Sequence, residues 1–179
     1  EDDGLIFDRA MYLLIISFQR NIILSKFEKF NVFSRIELES RAEIEYDQYC
    51  KAINIEARTM IEMTSKLIIP AVIGYTTDLA LSISTVTDAC PDADVSTQRE
   101  LLLEVSDLLS DANVALSKLS DVTAQGKAFI GDSQQKAVFY RDEVVAAMAA
   151  LRTPVDALET KVDKEVWPIP SYGDMVFEV

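Results

Sequence analysis

Acidic side chains are the main candidates for chemistry in this sequence of 179 residues. The chain has 30 Asp or Glu, 17 Lys or Arg and no His, which gives a formal net charge of −13. Without His, the sequence lacks the usual general base, metal ligand and pH-sensitive group. Its five Gly leave little material for a phosphate-binding loop. The composition predicts no catalytic, cofactor-binding or metal-binding residue, and the charge argues against nucleic acid and anionic membranes as partners.

Two of the acids share one line of a predicted helix. At about 100° per residue, Glu56 lies in the middle of the helix's apolar face, and Glu45 lies three turns earlier. Because an acid on an apolar face is costly unless it is paired, we predict that Glu56 is a buried structural acid. Its partner would be Arg141, Arg152 or a domain beyond this chain. The alternative is half of an acid/base or cation site, but the sequence shows no second cluster of ligands.

The two cysteines and the chain start bear on the compartment. Cys50 and Cys90 fit no metal or redox motif, so we predict two small apolar side chains without a disulfide, which favours a cytoplasmic location. The first residues, Glu1-Asp2-Asp3, are unlike a signal peptide, and the longest apolar run, residues 11–16, is too short to span a membrane. The chain does not begin with Met, so we expect it to be processed or excised from something longer.

The apolar periodicity predicts helices almost throughout. A first helix over roughly residues 8–30 is apolar nearly all round, so the rest of the fold or a missing domain must cover it. A second helix is predicted over roughly residues 34–89, beginning at a capping box formed by Ser34 and Glu37. Because Pro70 removes a helical hydrogen bond, we predict a kink or break just before it, near Ile69.

Two further helices follow the turn at residues 90–94. The third is predicted over roughly residues 96–124, with Asp94 or Ser96 as its cap. The fourth starts near Asp132 or Ser133 and is interrupted at Pro154, where Thr153 caps a restarted helix or the helix kinks. The predicted buried positions of these two helices are Leu101, Val105, Leu108, Ala112, Ala115, Leu119 and Val122, then Ala137, Tyr140, Val144, Met148, Leu151, Val155, Leu158, Val162 and Val166.

The last 13 residues differ from the rest. Pro168 and Pro170 prevent a helix at the start of this tail, and its apolar side chains predict that it is docked. Trp167 and Tyr172 are the candidate interface anchors, with the alternative that both simply close the end of the bundle. We therefore predict an all-α fold: an antiparallel bundle of long helices over residues 31–166, an extended tail over residues 167–179, and an apolar helix over residues 1–30 as a remnant joining a missing catalytic domain.

Several ordered motifs resemble one known family. They are Glu37-Leu38-Glu39-Ser40-Arg41, Ile53-Asn54-Ile55-Glu56-Ala57, Ile69-Pro70-Ala71-Val72, Ala89-Cys90-Pro91-Asp92-Ala93-Asp94, Tyr140-Arg141-Asp142 and Trp167-Pro168-Ile169-Pro170-Ser171-Tyr172-Gly173-Asp174. Together they resemble the C-terminal helical region of type III glutamine synthetases, with a likeness from about Phe27 to Val179. Pro154 departs from the family's pattern, in which a proline is expected nearer Ala146.

The resemblance implies a parent enzyme that joins ammonia to glutamate with ATP and a divalent metal, Mg or Mn, in a large ring-stacked homo-oligomer. Its chemistry belongs to an upstream catalytic barrel, none of whose motifs can be matched here. We therefore expect a non-catalytic domain that contacts the catalytic domain of the same parent chain and sister subunits, and is inactive alone. The alternative is a free-standing acidic helical interaction module with no enzyme parent.

Overall fold

A computed structural model describes residue 30, residues 34–170, Asp174 and Val176. These residues form five α-helices and contain no strand, so the prediction of an all-α fold is confirmed. The predicted helix over residues 8–30 lies outside them, apart from Phe30. The helices are α1 (Arg35–Met63), α2 (Ile69–Ala89), α3 (Ser96–Lys127), α4 (Ser133–Phe139) and α5 (Val145–Glu159), with π-helical turns at Thr64–Ile68, between α1 and α2, and at Tyr140–Val144, between α4 and α5.

Side chains cap the starts of α1 and α4, whereas the cap residue of α3 is Val95 and not the predicted Asp94 or Ser96. The Ser34 hydroxyl accepts a hydrogen bond from the Glu37 N–H, and the Glu37 carboxylate accepts one from the Ser34 N–H, which completes the capping box of α1. The hydrogen bonds that the Glu37 carboxylate accepts from the Ser34 N–H and from the Ser34 hydroxyl lower the pKa of Glu37. At the start of α3, the Asp94 carboxylate accepts from the Ser96 N–H at 2.9 Å. Each contact satisfies an N–H group that the helix itself leaves free.

Asp132 is the cap of α4, and its removal should be measurable. Its carboxylate accepts from the Gln135 N–H at 2.6 Å. We expect Asp132→Ala to lower the free energy of unfolding by about 1 kcal/mol in urea titrations, because one N–H loses its acceptor. Asp132→Asn keeps a side-chain oxygen and should cost much less. Equal losses for the two variants would contradict the capping role.

The two internal prolines do not break their helices. The Ile69 N–H bonds to the Thr64 carbonyl, five residues back, so a wider π-helical turn precedes Pro70 and the helix continues to Ala89. The irregularity predicted near Ile69 is thus a widened turn and not a break. The restart predicted at Pro154 is wrong, since α5 runs through that residue to Glu159. The Thr153 hydroxyl donates to the carbonyl of Ala149 at 3.2 Å instead of capping a new helix.

The core consists of two clusters along the helices. The first joins Tyr46, Cys50, Ile53 and Ala57 of α1 to Leu119 and Val122 of α3 and to Ala137, Tyr140, Val144, Ala147 and Leu151. The second joins Ile68 and Val72 to Val105, Ala112, Leu158 and Val162. From the first cluster to the second, the residue numbers increase along the helix that begins with α1 and along α5, but they decrease along α3. The α3 helix therefore runs antiparallel to these neighbours. The antiparallel bundle predicted over residues 31–166 stays a prediction.

The buried side of α1 differs from the predicted one. The predicted side consists of Leu38, Ala42, Tyr49, Ile53, Met60, Met63 and Leu67. Of these, Ile53 is buried, five are half-buried and Leu67 is 45% exposed, whereas Tyr46, Cys50, Ala57 and Ile68 are buried without having been predicted. By contrast, the predicted seams of the third and fourth helices are buried or half-buried at every position. The long helix carries apolar residues on more than one side, so its periodicity alone did not reveal which side faces the core.

Candidate functional site

Glu56 is exposed, so the prediction that this chain buries the acid is wrong, whereas its pairing with a domain beyond this chain stays a prediction. Its two predicted partners bind acids of their own: Arg141 pairs with Asp142 and Arg152 pairs with Asp156. Within the described residues, no ion pair involves Glu56. The reason is the rotation of the buried side of α1, which places Glu56 roughly 90° away from the core.

Replacement of Glu56 is accordingly expected to have a small effect on stability. Glu56→Ala removes an exposed charge and no buried contact, so we expect a loss of less than about 1 kcal/mol in the free energy of unfolding. Thermal and urea denaturation of the whole chain measure this. A loss of several kcal/mol would restore the buried-acid interpretation.

Trp167 is half-buried, and its ring packs against the second core cluster together with Ile169. The backbone N–H of Trp167 donates to the Asp163 carbonyl at 2.9 Å, and a cavity of about 190 Å³ lies beside the Trp167 ring. Lys164 and Asp174 form an ion pair at 2.6 Å that ties the tail back to the preceding turn. The backbone is non-helical from residue 167 to residue 170 but helical at Asp174. The interface role of Trp167 stays a prediction, and Tyr172 lies outside the described residues.

A polar group at the junction of α1 with the second π-helical turn is the nearest approach to a reactive cluster. The Tyr140 hydroxyl donates to the Asn54 side-chain oxygen at 3.5 Å, and the buried Tyr49 hydroxyl has no hydrogen-bond partner in the described structure. Burial raises the pKa of both tyrosines, and it raises the pKa of the Cys50 thiol to about 11. All three groups stay protonated at neutral pH, so none of them is an activated nucleophile.

Thiol labelling should distinguish the two cysteines. Both are free, with Cys50 buried and Cys90 exposed. Because the Cys50 pKa is about 11, only about one thiol in a thousand is ionised at pH 8, and burial blocks the reagent as well. We expect Cys90 to react quickly with a thiol reagent and Cys50 to react only after unfolding. Two fast thiols in the folded chain would contradict the packing around Cys50, and Cys90→Ser is the control that isolates it.

Among the described residues, no group of three or more His, Cys, Asp or Glu side chains could hold a metal ion. The assignment of ATP and the divalent metal to the parent enzyme stays a prediction. The most distinctive feature of the described residues is an exposed apolar surface.

That surface lies on α2 and on the π-helical turn before it, and it was not singled out from the sequence. Among the described residues, one helix, Arg35–Ala89, has an 18-residue stretch apolar enough to cross a membrane by length and composition alone, and only 11% of that stretch is buried. Leu81 is 63% exposed, Ile73 50% and Leu67 45%. We call these three residues the α2 apolar surface. The low charge of this segment is visible in the sequence, but its exposure is not.

Comparison with known proteins shows which family and which proteins this chain is similar to. Residues 2–87 match the glutamine synthetase C-terminal domain family. A type-3 glutamine synthetase from Dictyostelium discoideum is 31% identical over 170 residues, covering 90% of this chain and 22% of the relative. A glutamine synthetase from Butyrivibrio fibrisolvens is 28% identical over 86% of the chain and 22% of the relative, and one from Bacteroides fragilis (strain YCH46) is 24% identical over 82% and 20%.

These matches confirm the predicted resemblance and correct its extent. The chain spans about one fifth of the length of each relative. The family match begins at residue 2, so the N-terminal segment belongs to the matched domain, whereas the sequence motifs placed its start near Phe27. Residues 2–87 therefore belong to the glutamine synthetase C-terminal domain family, and the likeness to type-3 glutamine synthetase extends over most of the chain.

Proposed function

We propose that this chain is a non-catalytic helical domain of a cytoplasmic type III glutamine synthetase, and that it makes contacts within the assembled enzyme. The observation that carries the proposal is the exposed α2 apolar surface. Large exposed apolar patches are rare on monomeric proteins and mark sites where another surface binds. The catalytic domain of the same parent chain and sister subunits are the proposed occupants. ATP and the divalent metal belong to the catalytic part in this proposal.

A protein surface fits the α2 apolar surface better than a lipid bilayer does. The α3 helix packs against α2 after the short turn at residues 90–95, so its exposed Glu100 and Glu104 lie beside the end of α2. Glu104 also pairs with Lys161 at 2.7 Å. A bilayer that covered α2 would have to receive these charged groups at the same depth, which is costly. A protein partner can cover the apolar residues and leave the acids in water.

Substitutions on α2 test the contact role. We expect Leu81→Asp and Ile73→Asp, made in the longer synthetase that carries this chain, to break up the assembly, as measured by analytical ultracentrifugation. The control is Ile130→Asp, in the loop before α4, where the side chain is 99% exposed outside the α2 apolar surface. An assembly unchanged by both α2 variants would contradict the proposal, and so would an equal loss from the control. Flotation of the wild-type chain with vesicles would favour a membrane instead.

The absence of ligase activity is tested on the chain alone. We expect no glutamine from glutamate, ammonia, ATP and Mg²⁺ with the purified chain, because its described residues hold no metal site. Glutamine formation would overturn this part of the proposal. The gene is a second test: a reading frame that continues upstream into a glutamine synthetase barrel supports the parent enzyme. A start codon directly before Glu1 supports the free-standing interaction module.

A further inference from the structure

The exposed side of α2 and of the π-helical turn before it carries a strip of residues opposite the buried side of the helix. At about 100° per residue, the buried Val72 and the half-buried Leu79 lie on one side, and the strip lies on the other. We call this strip the α2 strip, and every one of its residues is exposed: Lys66, Pro70, Ile73, Gly74, Thr77, Leu81, Ser84 and Asp88. It therefore extends the α2 apolar surface to a basic residue at one end and an acidic residue at the other.

The α2 strip is self-complementary about Thr77. Ile73 and Leu81 lie four residues on either side of Thr77, and Lys66 and Asp88 lie eleven residues on either side of it. When two copies of a helix pack antiparallel about a two-fold axis at Thr77, each residue meets the residue at the same distance on the other side. Ile73 of one copy then meets Leu81 of the other, and Lys66 meets Asp88.

We propose that the α2 apolar surface binds the same surface of a second copy of this chain, with the two α2 helices antiparallel about a two-fold axis at Thr77. This inference rests on the proposed function and names the partner that binds there. A two-fold contact requires a surface that is complementary to itself, whereas a contact with a different surface does not. The match of apolar with apolar and of basic with acidic positions about Thr77 therefore favours a second copy.

The charges of the α2 strip favour the antiparallel arrangement. Lys66 and Asp88 are about 33 Å apart on one helix, so they pair only across the axis, once at each end of the contact. The Lys66 ammonium binds Glu62 within its own chain, but its side chain is 67% exposed and has donors for a second carboxylate. Asp78 lies about 90° to one side of the strip. A parallel pairing would instead place Lys66 beside Lys66 and Asp88 beside Asp88.

The middle of the α2 strip allows two helices to approach each other. No atom outside the backbone of its own helix lies within 4 Å of the position that a Cβ of Gly74 would take. The Thr77 hydroxyl donates to the Ile73 carbonyl at 2.9 Å, so it needs no partner across the axis. Ile73 and Leu81 are 50% and 63% exposed, so the pairing removes their apolar surface from water.

Disulfide cross-linking of the full chain tests the axis. The α2 strip is about 33 Å long and about 10 Å wide, which is small for a stable interface, so covalent trapping is the sensitive measurement. In a Cys90→Ser background, we expect Thr77→Cys to oxidise to a dimer several-fold faster than Ser84→Cys, as followed on non-reducing gels. The two copies of position 84 are about 21 Å apart along the helices, beyond the reach of a disulfide. Equal rates, or slower linking at position 77, would overturn the proposal.

Charge reversal in the same cysteine background tests the antiparallel pairing. We expect Lys66→Glu or Asp88→Lys alone to slow the linking at position 77 several-fold, because each places like charges at both ends of the contact. The two changes together should restore the rate, although the two positions are too far apart to interact within one chain. Lys51→Glu is the matched control, because Lys51 forms the same kind of exposed ion pair on α1. Losses that add in the double variant would overturn the proposal.

The outcome separates this inference from the proposed function. If Leu81→Asp and Ile73→Asp break up the assembly of the longer synthetase but position 77 is not linked preferentially, the contact role stands and the second copy is refuted. If position 77 is linked preferentially and the assembly survives both variants, the two copies pair and the contact role in the assembly is refuted. Failure of both results refutes both proposals.

Discussion

Leu151→Ala is expected to lower the free energy of unfolding by about 2–5 kcal/mol. The Leu151 side chain is fully buried in the first core cluster, between α1 and α3. The substitution removes buried apolar surface and leaves a cavity that the surrounding helices close only partly. Because such a loss is a large fraction of the stability of a typical domain, urea denaturation should show it as a clear shift of the midpoint.

An exposed leucine provides the control for this loss. Leu103 on α3 is 65% exposed, so Leu103→Ala should change the free energy of unfolding by no more than about 0.5 kcal/mol. Similar losses for Leu151→Ala and Leu103→Ala would mean that the first cluster is not the core of the folded chain. A cooperative transition in both variants is needed for the two values to be compared.

Gly126→Ala is expected to destabilise the chain by about 1–3 kcal/mol, although alanine is the better helix former. Gly126 lies in the last turn of α3, and a Cβ atom there would lie 3.0 Å from two ring carbons of Tyr140. The Tyr140 ring is 2% exposed within the first cluster, so it has little room to move. The steric cost therefore exceeds the gain in helix propensity, and the melting temperature should fall.

A second helical glycine gives the opposite expectation. A Cβ atom at Gly74, in α2, would meet no atom within 4 Å. Gly74→Ala should therefore raise the stability by about 0.5–1 kcal/mol, because only the propensity gain acts there. If both glycine variants stabilise the chain, the Tyr140 ring does not lie as close to Gly126 as the structure shows. If both destabilise it, the propensity argument fails on α2.

Gly126 also illustrates a limit of the sequence prediction. The predicted third helix ends near residue 124, which leaves Gly126 in the loop before the fourth helix, because glycine is common where helices end. The structure continues α3 to Lys127, and the position is held by glycine because an aromatic ring of a distant segment lies against it. Helix propensity is a local property, whereas this contact depends on where the second π-helical turn packs.

The candidate site residues show the same limit, because the sequence does not reveal which side of a helix packs against distant segments. Glu56 was selected from a helical wheel whose buried side was assigned wrongly, and it is exposed. Trp167 was selected from its residue type beside Pro168, and it packs against the second core cluster. The α2 apolar surface was missed, since a weakly charged helical segment looks the same in sequence whether it is buried or exposed.

The features that the sequence determined by itself depend on neighbouring residues or on a pattern that repeats every few residues. The capping box at Ser34, the cap at Asp132 and the buried seams of the third and fourth helices follow from neighbouring residues and from the 3.6-residue period. The family resemblance likewise depends on short motifs in a fixed order. These features need no knowledge of which helices meet.

Only the tertiary structure decided which side of α1 is buried, how Pro70 and Pro154 are accommodated, and that α2 is exposed. Apolar residues surround the long helix, so several rotations about its axis would bury a similar amount of apolar surface. Contacts with α3 and with the helices on either side of the second π-helical turn select one of these rotations. That choice turns Glu45, Glu56 and the α2 apolar surface outward, because a helix can present only one side to the core.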